Sequence, residues 1–408
     1  MFVNLFIGIS LGANVLAARF FAAKKEREMS ETVHTAIAFA LVSGIGMAFI
    51  GVAFARTALE LMGTPDDVIQ LSALYMRLYF CGMPFFMLYN YGAAILRAIG
   101  DTKRPLLFLV IAGVANVALN LLLVIVFHLG VAGVAIGTII SQMISSILVL
   151  RCLCKAEASY RLHFSKLSIK GVYMKQIFKV GIPAGIQSTV INFSNVLLQS
   201  SVNSFGSTAM AGYTAANNIF GFLYASANSI TQACMSFTSQ NYGAGKWKRI
   251  DRVVVDCMAL TVVIMLALGG GAYVFGHQLL GIYTSDVEVI ACGMEILLYT
   301  TVTYFLCGLM DLFPGAMRGM GYSLVPMIIS IIGTVGLRIV WIFWVFPKNR
   351  SLDVHFLSGI VDSYNSHAAC LLLVCKKESV QEIKIRIQAQ IKNPGNETTK
   401  YNCKKREK

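Results

Sequence analysis

Ionisable side chains lie inside several long apolar segments of this chain. Glu295 and Asp311 belong to segment 288–317, and Arg338 belongs to segment 324–346. A charge within the hydrocarbon of a bilayer is costly, so each is a candidate functional residue, and Arg338 requires an acidic or carbonyl partner. Two interpretations remain open for Glu295 and Asp311. Either they take part in ion coupling, or they are structural, paired with Arg338 or placed near a helix end.

Side-chain amides form a second group of candidates. Asn116 and Asn120 are four residues apart and therefore lie on one face of a helix. Further amides follow segment 176–204, the last three of them on roughly one face, namely Gln187, Asn192, Asn195 and Gln199. A polar face of a membrane helix must look inward, where it lines a cavity or bonds to other helices. Such interhelical hydrogen bonds contribute about 0.6 kcal/mol each.

The composition indicates a helical membrane scaffold for these residues. Of 408 residues, 56% are hydrophobic and 13% are charged, whereas roughly 25% are charged in soluble domains. Apolar runs of about 20 residues, long enough to cross ~30 Å of hydrocarbon, recur along the chain. Because these runs are continuous rather than alternating, they favour helices over a barrel. The ten predicted spans are 2–23, 33–56, 69–97, 104–128, 131–153, 176–204, 209–240, 253–275, 288–317 and 324–346.

The net charge of +14 is explained by topology better than by a nucleic-acid partner. Alternate connections between the predicted spans contain nineteen Lys and Arg residues on one side and three on the other. Basic residues concentrate in cytoplasmic loops, so the richer side is predicted to be cytoplasmic. The apolar start at 1–23 lacks a basic leading region and reads as a helix. The ten cysteines are scattered, which argues against a metal site or a disulfide framework.

An internal repeat relates the two halves of the chain. The segment around Arg97, with Gly100 and Pro105 following, returns around Arg318, 221 residues later. The same offset superposes Phe21–Lys25 on Tyr242–Lys246. The predicted fold is therefore all-α integral membrane, with two pseudo-symmetric bundles of transmembrane helices and a parent architecture of six plus six.

The repeat also predicts how the chain divides. The expected units are a first lobe at 1–153, a cytoplasmic linker at 154–175, a second lobe at 176–358 and an atypical polar and basic segment at 359–408. The first lobe is expected to lack its opening helix. The polar tail is predicted to be cytoplasmic if a twelfth span exists.

Several motifs resemble the multidrug and toxic compound extrusion (MATE) family. They are Ser204–Tyr213, Ser239–Lys246, Arg97–Lys103 and Gly181–Gly185. The resemblance implies two six-helix lobes around a central cavity, in the cell membrane, exporting organic and often cationic compounds in exchange for H⁺ or Na⁺, with no cofactor. The family places an Asn and an Asp at the spacing of Asn116 and Asn120, with a Tyr one helix earlier and a Thr one helix later. Tyr75 and Thr138 fall at those places.

Asn120 stands where the family has an acid, and Asn cannot take up a proton. Besides the drug antiporter, three hypotheses therefore remain: a lipid-linked precursor flippase, a membrane enzyme, and an inactive copy. The flippase requires a strongly cationic cavity, for which Arg77 and Arg338 are few. The enzyme requires a cluster of paired acids or His ligands, which the sequence does not suggest.

Overall fold

The computed structural model describes residues 2–61, 63–156, 158–203 and 205–345. Within these ranges the chain is helical, with no strand. The helices are α1 (Phe2–Ala22), α2 (Glu26–Leu61), α3 (Asp66–Cys81), α4 (Met83–Ala98), α5 (Lys103–Leu121), α6 (Gly130–Cys154), α7 (Gly171–Asn203), α8 (Ser207–Gly243), α9 (Trp247–Val274), α10 (Gly276–Gly281), α11 (Val287–Gly319), α12 (Leu324–Ser330) and α13 (Leu337–Val340). Short π-helical turns extend α5, α12 and α13, and a 3-10 turn lies between α6 and α7. The predicted segment 359–408 lies outside the described residues.

The all-helical membrane fold is confirmed, and each of the ten predicted segments contains helix. Within the described ranges, six helical stretches are long and apolar enough to cross a bilayer, and two bent pairs bring the number to eight. The remaining two, α7 and α8, have 33 and 37 residues. Both are long enough to cross a bilayer, but their polar residues make them too polar to be counted with the other eight.

Two predicted spans are bent rather than straight. Segment 69–97 is divided at Gly82 into α3 and α4, which meet at 44°. Segment 288–317 bends by 47° between Thr301 and Tyr304. The second bend lies 221 residues after the first, so the repeat seen in the sequence is also a repeat in backbone geometry.

The helix ends repeat in the same register. Gly100 and Gly321 both have positive φ, +92° and +89°. Their N–H groups donate to the carbonyls of Arg97 and Arg318 at 3.0 and 2.8 Å. A residue with positive φ just beyond the last turn ends a helix while satisfying its free carbonyls, and glycine adopts that conformation without a steric cost. These two motifs therefore act as matched helix stops.

The two halves meet through close packing of α1 against α7. Gly8 and Gly12 of α1 form one G-x-x-x-G pattern, and Gly181 and Gly185 of α7 form another. A Cβ on Gly8 would overlap the backbone of Gly185, and one on Gly12 would overlap α7 as well. Small residues at this spacing allow membrane helices to approach closely. The crossing therefore fixes how the halves lie against each other.

Buried apolar clusters lie on either side of that crossing. The largest joins α1, α2, α4 and α6 with the first turns of α7, through side chains such as Met29, Met87, Tyr91 and Ile177. Two smaller clusters join α8 to α9, α10 and α11 in the second half. The sequence placed the start of the second lobe at residue 176. The first turns of α7 nevertheless pack with first-half helices.

Candidate functional site

The polar residues of the first half meet where α5 faces α6. Asn120 donates from Nδ2 to Oδ1 of Asn116 at 3.2 Å, and Asn116 donates to the hydroxyl of Ser141 at 3.4 Å. The Ser141 hydroxyl in turn donates to the carbonyl of Thr138 at 2.8 Å. The predicted pair Asn116 and Asn120 is thus joined to the turn that contains Thr138.

Asn120 presents a buried acceptor to this site. Its Oδ1 is shielded from solvent and has no hydrogen-bond partner. Gly137 of α6 lies directly against it, and a Cβ at that position would overlap the oxygen. A buried acceptor without a partner costs about 1–3 kcal/mol. The oxygen is therefore suited to accept from water or to contact a cation.

A second tyrosine of α3, Tyr79, lines the same cleft as Thr138. Tyr75 is 36% exposed and stacks on Tyr79 with ring centroids 6.2 Å apart. Tyr79 lines a small cleft together with Phe86, Thr138 and Gln142. Tyr79 lies one turn after Tyr75 on the same helix face. This i, i+4 spacing in the sequence could have identified Tyr79 as a second candidate.

In the second half, Arg338 finds its partners on α7. Its guanidinium donates to Oδ1 of Asn195 at 2.8 Å and to the hydroxyl of Ser194 at 3.1 Å. The sequence predicts an acidic or carbonyl partner for Arg338, and one oxygen that it contacts is the amide of Asn195, a predicted polar-face residue. Ser194 is fully buried and was not predicted, because a single serine in an apolar helix gives no distinctive pattern.

A second polar network surrounds Arg318 at the end of α11. Arg318 donates to Oε1 of Gln187 at 2.6 Å, and Gln187 donates from Nε2 to the hydroxyl of Ser330 at 2.8 Å. Gln187 is only 2% exposed, so it bridges α7, α11 and α12 from within the packed interior. Asp311 lies two turns before Arg318 and interacts electrostatically with it and with Tyr224 of α8.

The other candidates lie on α3, α7 and α11. Asn192 is exposed and donates to the carbonyl of Ser188 in its own helix at 2.7 Å. Gln199 is partly buried near the end of α7. Glu295 is exposed, about two turns after the start of α11 and before its bend. Arg77 is exposed on α3.

Among the described residues, no group of three His, Cys, Asp or Glu side chains could hold a metal ion. The seven cysteines in the described part of the chain are free thiols. The first-half network consists of amides and hydroxyls, and the network around Arg318 adds its guanidinium group and the carboxylate of Asp311.

Comparison with known proteins supports a transporter assignment. The MatE family model matches residues 1–122 and 183–344. The chain is 30% identical to Probable multidrug resistance protein YoeA of Bacillus subtilis, over 83% of this chain and 75% of that protein. It is 22% identical to Multidrug export protein MepA of Staphylococcus aureus, over 81% of this chain and 72% of that protein.

Solved structures share the fold. A MOP superfamily transporter from Pyrococcus furiosus superposes with a TM-score of 0.84 and 19% identity, over 95% of this chain and 85% of that one. An outward-facing multidrug resistance MATE family transporter superposes with a TM-score of 0.85 and 18% identity, over 96% and 86%. With more than half of the chain matched by the family model, this protein belongs to the multidrug and toxic compound extrusion family of efflux transporters.

Proposed function

We propose that this chain exports small organic compounds, often cationic, across the cell membrane in exchange for H⁺ or Na⁺. The main supporting observation is the 221-residue repeat of bent spans and helix stops, with a polar network in each half. Duplicated transporters place substrate and ion sites near the midplane between their repeats and move one repeat against the other. The names of the relatives support multidrug compounds as the substrate class.

We assign the coupling ion to the second half, at Asp311. The first-half network consists of Asn116, Asn120, Ser141 and Thr138, which do not titrate in the physiological range. Asp311 is a partly buried carboxylate that interacts electrostatically with Tyr224 and Arg318. An ionisable side chain at membrane depth is a candidate for an ion pathway by default. Glu295, in the same helix but exposed, is the alternative acid.

Ethidium accumulation in a drug-sensitive host without its own efflux pumps tests the function. We expect the wild-type chain to lower accumulation and Asp311→Asn to return it to the level of the empty vector, since Asn cannot bind a proton. The matched control is Asp256→Asn, which removes an exposed carboxylate of α9 that pairs with Arg252 at 3.7 Å. This control should export as the wild type does. Ionophores that collapse either the H⁺ or the Na⁺ gradient identify the coupling ion.

The alternatives predict different results. Export by Asp311→Asn together with loss in Glu295→Gln would move the coupling role to Glu295. If the wild type leaves accumulation unchanged, the antiporter proposal fails for this polypeptide. The flippase and inactive-copy hypotheses would then take its place.

A further inference from the structure

Two reciprocal hydrogen bonds join the halves of the molecule at one end. Arg19 of α1 donates from Nη2 to the carbonyl of Gly319 at 3.2 Å. Gln240 of α8 donates from Nε2 to the carbonyl of Ala98 at 2.7 Å. Donors and acceptors are both related by the 221-residue offset, so the two bonds are one contact made twice. We call the end of the molecule where they lie, which includes Lys24 and Lys246, the basic end.

Each bond satisfies a helix terminus in the opposite half. Ala98 and Gly319 are the last residues of α4 and α11. Carbonyl groups in the last turn of a helix lack an intrahelical donor. Each half therefore supplies the donor that the other half's bent span needs at its end, and separating the halves removes both donors together.

Arg19 is held in a fitted socket. Its guanidinium lies 4.4 Å from the ring centroid of Tyr242 and contacts Gly321. A Cβ on Gly243 would overlap the backbone of Arg19. The Nε atom of Arg19 is buried without a hydrogen-bond partner, so only the tip of the side chain is satisfied. Arg19 thus has a hydrogen bond and an aromatic contact in the closed arrangement, and its Nε–H could bond to water once the halves separate.

Further bonds between the halves continue from this socket toward the membrane interior. Ser239 of α8 donates to the carbonyl of Val15 at 2.7 Å, and Ser236 donates to Oδ1 of Asn14 at 3.1 Å. Both lie within two turns of Arg19 and Gln240. The contact therefore forms a continuous polar seam between α1 and α8 that begins at the basic end.

We propose that Arg19 and Gln240 form a paired latch that holds the halves together at the basic end, and that the latch opens when access changes sides. This inference rests on the proposed alternating-access function. The two latch bonds differ in one respect. Arg19 is a cation that also contacts an aromatic ring, whereas Gln240 is neutral, so the Arg19 bond stabilises the closed end more strongly.

Hydrogen–deuterium exchange by mass spectrometry on the full chain in lipid nanodiscs tests the latch without requiring transport. Arg19→Ala should raise exchange in 13–22 and 234–243 about tenfold, because a charge-assisted hydrogen bond is lost. Gln240→Ala should raise it less. Exchange at the opposite end of α8, in 207–215, reports global unfolding and should not change.

Two matched controls remove side chains outside the latch. Arg252→Ala deletes an exposed arginine near the same end of α9, which forms an ion pair with Asp256 at 3.7 Å. Asn241→Ala deletes the neighbour of Gln240, whose amide donates to Phe237 in its own helix. Both should leave exchange in 13–22 and 234–243 at the wild-type level. Equal exchange in Arg19→Ala, Gln240→Ala and these controls overturns the proposal.

A wedge variant tests the same contact without deleting any hydrogen-bonding group. Gly243→Ala places a methyl group against the backbone of Arg19 and should also raise exchange at the basic end. Gly270→Ala in α9 meets nothing within 4 Å and should not. If Arg19→Ala does not fold, the comparison of Gly243→Ala with Gly270→Ala tests the proposal by itself. Exchange responses as described, in a chain that exports no ethidium, would support the latch while the antiporter proposal fails.

Discussion

The Arg318 network shows how a guanidinium is kept at the end of a membrane helix. Gln187 accepts a hydrogen bond from Arg318 and donates one to Ser330, so one amide pairs with polar groups on two other helices. We expect Gln187→Leu to destabilise the protein by ~1–3 kcal/mol, because Arg318 loses its buried acceptor. Ser330→Ala should cost less, since it removes a neutral partner. Thermal unfolding in detergent, followed by fluorescence-detected size exclusion, measures both.

The control for this prediction is Asn192→Leu on the same helix. Asn192 is exposed and bonds to its own helix, so its loss should shift the unfolding temperature little. Equal shifts for Gln187→Leu and Asn192→Leu would contradict a bridging role for Gln187.

At the residue scale the sequence predicts that Arg338 needs an acidic or carbonyl partner, without saying which. Arg338 had to find an oxygen partner, and it found Asn195, 143 residues away in sequence. Which amide it would reach depends on how α7 lies against α13, and no local pattern contains that information. Gln187 is predicted from its pattern to line a cavity; in the structure it is buried and bonds to Arg318 and Ser330, and no local pattern names those partners.

Among the elements, the connection between α6 and α7 is docked rather than free. The N–H of His163 donates to Nε2 of His34 at 3.1 Å, and the N–H of Lys170 donates to the hydroxyl of Thr35 at 3.3 Å. Lys170 also forms an ion pair with Glu31. The connection between the two halves is thereby tied to the start of α2, in the first half.

We expect His34→Ala to release this connection and to speed tryptic cleavage at Arg161 and Lys166, both of which are exposed. Limited proteolysis of the purified protein followed by mass spectrometry of the fragments measures the rate. His277→Ala removes an exposed histidine of α10 and should cleave as the wild type does. An unchanged rate in His34→Ala would mean that the remaining contacts hold the connection alone.

The bends show what element-level prediction misses. Gly82, with Pro84 two residues on, offered a local reason for the break between α3 and α4. In α11, however, Pro314 lies about three turns beyond the bend. Only the repeat relates the second bend to the first. A run of apolar residues predicts a helix but not the direction of its axis. A bend within the run therefore cannot be predicted from apolarity alone.

At the scale of the whole molecule, the internal duplication accounts for more of the observed backbone geometry and hydrogen bonding than any single motif does. The repeat predicted from Arg97 and Arg318 recurs in the bends, the helix stops and the latch bonds. Contacts between the halves could not be predicted, because the facing G-x-x-x-G patterns of α1 and α7 look like ordinary small-residue spacing until they are brought together. The orientation of the chain in the membrane determines on which side the latch lies.

Lys and Arg bias predicts that the basic end is cytoplasmic. Trypsin added to inverted membrane vesicles should therefore cut the connection between α6 and α7, and trypsin added to right-side-out vesicles should leave it intact. Ser285→Arg adds an exposed site in the loop before α11, at the opposite end, and should show the reverse pattern. With that result the latch lies on the cytoplasmic side. Cleavage of the connection only in right-side-out vesicles would reverse the orientation, and the same latch would then close the external side.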